Sequence, residues 1–84
     1  MSSEISIGEK IKTYRKLNNM TQEDLSKESD LYLSTIKKYE TGERKPKPDQ
    51  LQKIADALGV SVTVFLDFNI NTISDVLSLI IKLD

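Results

Sequence analysis

Residues 21–40, TQEDLSKESDLYLSTIKKYE, decide the fold. Thr21 stands three residues before Asp24, the spacing at which a hydroxyl accepts from one orphan backbone N–H of a helix start and a carboxylate reaches back to another. A short helix therefore begins at Thr21, with Leu25 as its main apolar position and the small residues Ser26 and Ser29 permitting a close crossing. Asp30, which can cap locally or adopt the left-handed region, and Leu31 form a tight connection. The next helix starts near Tyr32 or Leu33. Ile36 and Tyr39, three apart, share its inner face, leaving Ser34, Thr35, Lys37 and Lys38 for the remaining surface. A polar helix beside a compact partner is the geometry with which a helix-turn-helix reads a DNA major groove.

Working outward, residues 1–6 form an N-terminal arm, and Ser6 with Glu9 makes a second capping box. A helix is expected from about Ile7 to Asn18, with Ile7, Ile11, Tyr14 and Leu17 at helical spacing and Lys10, Lys12, Arg15 and Lys16 on its other faces. Asn18-Asn19 ends it and Met20 enters the core. Downstream, Thr41-Gly42 closes the second helix of the central pair, and Glu43 to Pro48 forms a loop that two prolines, Pro46 and Pro48, keep from becoming helix. Pro48 suits a first helical position, where its missing N–H would have been unpaired. The helix it opens runs to Leu58, with Leu51, Ile54, Ala55 and Leu58 inward and Gly59 at its end.

Ser61 caps a short fifth helix holding Val62, Val64, Phe65 and Leu66. The β-branched run 60–64 would also suit a strand, but an isolated strand in a helical chain leaves its edges unpaired. Thr72, with Asp75 three further on, caps a sixth segment whose Ile73, Val76, Leu77, Ile80 and Ile81 form one apolar stripe. That stripe either closes the domain's own core or supplies a dimer contact. Its run to Leu83-Asp84 without a polar tail is consistent with further chain beyond, a C-terminal effector or oligomerisation region. The expected fold is all-α and compact: five core helices within residues 7–66, then a C-terminal amphipathic helix over 72–84.

With 84 residues the chain supports a single domain, and 38% hydrophobic with 30% charged residues is ordinary for a folded globular one. Cysteine and histidine are both absent, which excludes disulfides, thiolate nucleophiles and the usual zinc ligand sets, and no cofactor is expected. The N-terminus has neither a basic leader nor an apolar run, so the chain reads as cytoplasmic with no membrane partner. No carboxylate has a partner for nucleophilic or hydrolytic chemistry, and the chain is not expected to be an enzyme. Net charge is −1, but its distribution is uneven. Residues 34–48 hold Lys37, Lys38, Arg44, Lys45 and Lys47 against Glu40 and Glu43, while residues 51–84 hold Lys53 and Lys82 against four aspartates. Such a dipolar molecule can turn a basic patch to phosphates and stay acidic elsewhere.

IGEKIKTYRK, MTQEDLSK and STIKKYETGERKPKPDQLQKIADALGVSV, in this order and spacing, resemble the Cro/repressor-like (XRE) helix-turn-helix family from about Ile7 to Leu66. The resemblance implies a compact lambda-repressor-like DNA-binding domain. It implies sequence-specific binding of double-stranded DNA as a transcriptional regulator, a repressor on a palindromic operator, with a homodimer formed at least on DNA. Gln22 matches a glutamine that donates to a phosphate and buttresses the reading helix. Leu33, Ser34, Thr35 and Lys38 match groove-facing positions, Lys37 lies on the rim, and Arg44 with Lys45 falls in the loop that follows the phosphate backbone; Lys37 and Lys47 are the further cations expected to join these phosphate contacts. Arg15 and Glu40 match a structural ion pair. Three positions depart from the pattern: Asp30 where Gly is frequent, Tyr32 where Ser or Thr caps, and Leu33 where Gln or Arg reads bases. A leucine packs on a thymine methyl but makes no bidentate contact. The alternative is a protein-interaction module, antitoxin-like or adaptor, in which Tyr32 and Leu33 contact protein.

Overall fold

The computed structural model describes residues 6–66. Four α-helices follow one another, α1 (Ile7–Leu17), α2 (Gln22–Ser29), α3 (Leu33–Thr41) and α4 (Pro48–Leu58), and a single 3-10 turn, Val62–Phe65, completes them. The readings for residues 1–5 and 72–84, including the apolar stripe Ile73, Val76, Leu77, Ile80 and Ile81, lie outside the described residues.

Most boundaries have a local cause. The Ser6 hydroxyl accepts from the Glu9 N–H at the start of α1. Thr21 and Asp24 form the reciprocal box at α2, with the Thr21 hydroxyl accepting from the Asp24 N–H at 3.0 Å and the Asp24 carboxylate from the Thr21 N–H at 2.8 Å. Asp30 ends α2 in the left-handed region at φ 60°, the role that Gly42 fills after α3 at φ 83°. Pro48 takes the first position of α4, and Gly59 caps the other end.

One core joins the elements. Ile11, Leu25, Ile36, Tyr39, Leu51, Ile54, Ala55, Leu58 and Phe65 are buried, and Tyr14 meets the Phe65 ring edge-on at 5.8 Å. Full burial of one such aliphatic or aromatic side chain stabilises by about 1.5–3 kcal/mol. Against a net stability of about 5–15 kcal/mol for a domain, each of the larger ones is a substantial share. Within this core α1 packs on α3, and α2 lies against both α3 and α4. None of the described helices is long and apolar enough to cross a membrane.

Three expectations need correction. Helix α1 stops at Leu17, and Asn18 is its C-cap, donating through its side chain to the carbonyls of Tyr14 and Leu58. Leu17 is 70% exposed rather than inward. At about 100° per residue, Gly8, Ile11 and Arg15 centre the buried face of α1, and Leu17 falls more than a right angle away from it. The fifth helix is one 3-10 turn in which Phe65 alone is fully inserted; Val62 and Val64 are half-buried and Leu66 is exposed.

Gly8 explains how α1 approaches α3 so closely. A Cβ at this position would stand 2.2 Å from the Tyr39 carbonyl oxygen and 2.9 Å from that of Glu40. The last turn of α3 therefore rests directly on the α1 backbone.

Candidate nucleic-acid interface

Helix α3 buries Ile36, Tyr39 and Glu40. By helical rotation Ser34 and Lys38 point the opposite way, with Leu33 and Lys37 on one flank and Thr35 on the other. Ser34 and Lys37 are exposed; Leu33, Thr35 and Lys38 are half-buried. Tyr32, the N-cap, makes no side-chain cap bond and is 82% exposed. The first N–H groups of α3 consequently receive no side-chain cap bond at the positive end of the helix dipole.

Behind this face lies a polar cluster. Arg15 Nε donates to Glu40 Oε2 at 2.6 Å and Nη2 to Glu40 Oε1 at 3.0 Å, while Nη1 donates to the Met20 carbonyl at 2.8 Å. Gln22 Nε2 donates to the same Glu40 Oε1 at 3.0 Å. One buried carboxylate thus ties α1, the α1–α2 turn, the first residue of α2 and the inner side of α3 together. Each polar atom finds a partner, which makes burial of the pair tolerable. Gln22 is half-buried, and its bond to Glu40 uses one of its two amide hydrogens, leaving the second for another acceptor.

The loop after α3 is held at both ends. The Arg44 N–H donates to the Lys38 carbonyl at 3.2 Å, and the Thr41 hydroxyl donates to that same carbonyl at 3.1 Å. Tyr39 donates its hydroxyl to Gln50 in the first turn of α4. Burial raises the Tyr39 pKa above its ordinary value, so the hydroxyl remains a donor at neutral pH. Arg44, Lys45 and Lys47 project from this loop into solvent and, with Tyr39 and Gln50, border a shallow cleft. Gln50 and Gly8 had no functional reading in the sequence. The isolated glycine inside a helical pattern was the available signal for Gly8, whereas nothing local marks Gln50 as the partner of Tyr39.

The structure brings the expected residues into two groups. Leu33, Ser34, Thr35, Lys37 and Lys38 lie on α3, and Arg44, Lys45 and Lys47 lie on the loop that α3 feeds. Gln22, Arg15 and Glu40 stand behind them. Backbone donors, hydroxyls and cations on one rigid helix and its adjoining loop can hold a polyanion and present side chains to it.

Comparison with known proteins agrees with this geometry. The helix-turn-helix family profile matches residues 11–65. The chain is 41% identical over 58 residues to the cryptic phage CTXphi transcriptional repressor RstR of Vibrio cholerae, covering 69% of this chain and 52% of that protein. It therefore spans about half the length of this relative. It is 40% identical over 62 residues to control protein C.BamHI of Bacillus amyloliquefaciens, covering 73% of this chain and 76% of the other. In structure it resembles the biofilm master regulator SinR crystallised with DNA, at TM-score 0.70 and 31% identity, over 73% of this chain and 98% of that one. The chain belongs to the Cro/repressor-like (XRE) helix-turn-helix family.

Proposed function

We propose that this chain is a sequence-specific double-stranded DNA-binding transcriptional regulator, a cytoplasmic repressor acting as a homodimer on a palindromic operator and catalysing no reaction. The observation that carries the reading is the outward face of α3, uncapped at Tyr32, backed by the buried Arg15–Glu40–Gln22 cluster and continued by the cationic loop. In this reading Leu33, Ser34, Thr35 and Lys38 meet base edges, with Lys37 on the rim. Gln22, Arg44, Lys45 and Lys47 meet phosphates. Residues 7–66 are the DNA-binding unit, and Ile73, Val76, Leu77, Ile80 and Ile81 supply the dimer contact. The similarity to RstR, a transcriptional repressor, and to SinR in complex with DNA supports this reading.

Selection from a random duplex library at stated salt tests it. The expected product is an inverted repeat with half-sites about one helical turn apart, about 34–36 Å. The second reading, a protein-interaction module, is favoured by one observation, the large exposure of Tyr32 at the tip of α3. Recovery of no enriched sequence, together with a stable protein complex that Tyr32→Ala abolishes, would decide for it.

A further inference from the structure

An open cleft of about 580 Å³ lies between the first turn of α3 and the beginning of α4. Asp30, Tyr32 and Thr35 line it on one side, and Arg44, Gln50 and Lys53 on the other. We propose that this cleft seats a phosphate of the DNA backbone and that Lys53, on the second turn of α4, is a DNA-contacting residue. The inference rests on the DNA-binding reading and adds to it a second phosphate anchor, on the flank of α3 opposite Gln22.

The chemistry of the lining suits that ligand. Arg44 and Lys53 come from different elements, and neither forms an ion pair among the described residues. Two cations against the carboxylate of Asp30 leave the cleft with a net charge of +1 among its lining residues. The hydroxyl of Tyr32 adds a donor for a phosphate oxygen, and charge-assisted bonds from Arg and Lys are the stronger kind.

Position identifies the source of the phosphate. A major groove is about 12 Å wide and a helix with its side chains about 10–12 Å across, so a helix lying in the groove has a phosphate strand along each flank. Gln22 reaches α3 through Glu40. Thr35, where the cleft borders α3, lies five residues before Glu40 and hence about 140° around the helix from it. With the Ser34–Lys38 face turned to the bases, Gln22 and the cleft stand on opposite flanks. One strand is met by Gln22, and the other passes the cleft.

Two exposed positions give opposite tests. Because phosphate contacts carry no sequence information, binding of the intact chain to a mixed-sequence duplex suffices, measured by fluorescence anisotropy from 50 to 200 mM salt. Each lost phosphate contact lowers the logarithmic salt slope by about 0.9, so across this range the wild type should lose about 3.5-fold more affinity per bound protomer than Lys53→Gln. Lys53→Arg should keep the wild-type slope, and so should Lys27→Gln, a loss of charge on the outer face of α2. Asp30→Asn should tighten binding, since it removes the carboxylate facing the phosphate while asparagine accepts the left-handed conformation at φ 60°. A Lys53→Gln slope equal to that of the wild type, or an Asp30→Asn variant that binds no tighter, overturns the cleft assignment and leaves the DNA reading standing. A wild-type chain that binds no duplex at 50 mM salt overturns both.

Discussion

At Gly8 two effects oppose each other. Alanine is favoured over glycine inside a helix by up to about 1 kcal/mol, yet here its Cβ would lie 2.2 Å from a backbone carbonyl oxygen of α3. Backbone has no rotamer with which to give way, so α1 must move off α3 and the steric cost wins. Gly8→Ala is expected to destabilise by about 1–3 kcal/mol, read as a lower urea midpoint at unchanged slope. Glu40 poses a different question, because its carboxylate is the common acceptor for Arg15 and Gln22. Glu40→Leu leaves the buried Arg15 guanidinium without its counter-charge, and a loss of about 3–5 kcal/mol is expected. Pairing it with Arg15→Met should restore much of that stability, since two apolar side chains replace two charges. A double variant as unstable as Glu40→Leu alone would mean that the cluster acts through its shape and not its charge.

The two helices of the motif differ most at their N-termini. Helix α2 begins with a complete capping box and α3 with no side-chain cap. Tyr32 already has the extended backbone of an N-cap, at φ −66° and ψ 144°, and buries little of its ring. Tyr32→Ser is therefore expected to stabilise the fold by about 1 kcal/mol, visible as a raised Tm, while weakening DNA binding. At α2 the Thr21 backbone N–H, and then the Thr21 hydroxyl and Lys27, hold the Asp24 carboxyl below the usual carboxylate pKa. A carboxyl that is more acidic when folded contributes stability above its unfolded pKa and loses it as pH falls through the lower folded value. The stability gap between wild type and Asp24→Asn should accordingly narrow as urea titrations move from neutral pH to below pH about 4. These elements also show what a sequence reader could and could not see. The bounds of α4 follow from Pro48 and Gly59, and those of α2 from Thr21 and Asp30, because each is a short-range backbone event. Leu17 misled because a residue three after Tyr14 continues a stripe only when both lie on the buried side of the helix. The Gln22–Glu40 and Tyr39–Gln50 bonds join residues 18 and 11 apart, and no local pattern encodes such pairings.

On the scale of the molecule, charge and rigidity divide the work of binding. The chain is slightly acidic as a whole, yet five of its twelve cations fall within residues 34–48, on α3 and the loop beside it. An acidic remainder limits adhesion to arbitrary polyanions, while a basic face accelerates encounter with a polyanion that matches it. Lys38 and Lys45 occupy different parts of this face. Lys38 is half-buried on the side of α3 opposite Ile36 and Tyr39, its position set by helix geometry, and Lys45 is exposed on the loop. Lys45→Ala should therefore weaken selected and mixed-sequence duplexes by the same factor and reduce the salt slope by about 1 per protomer. Lys38→Ala should weaken the selected site by about 1–3 kcal/mol and leave mixed-sequence binding nearly unchanged. Titrating both variants against both duplexes at two salt concentrations separates the roles, and the reverse pattern would exchange them, making the loop the reader of sequence and α3 the electrostatic anchor.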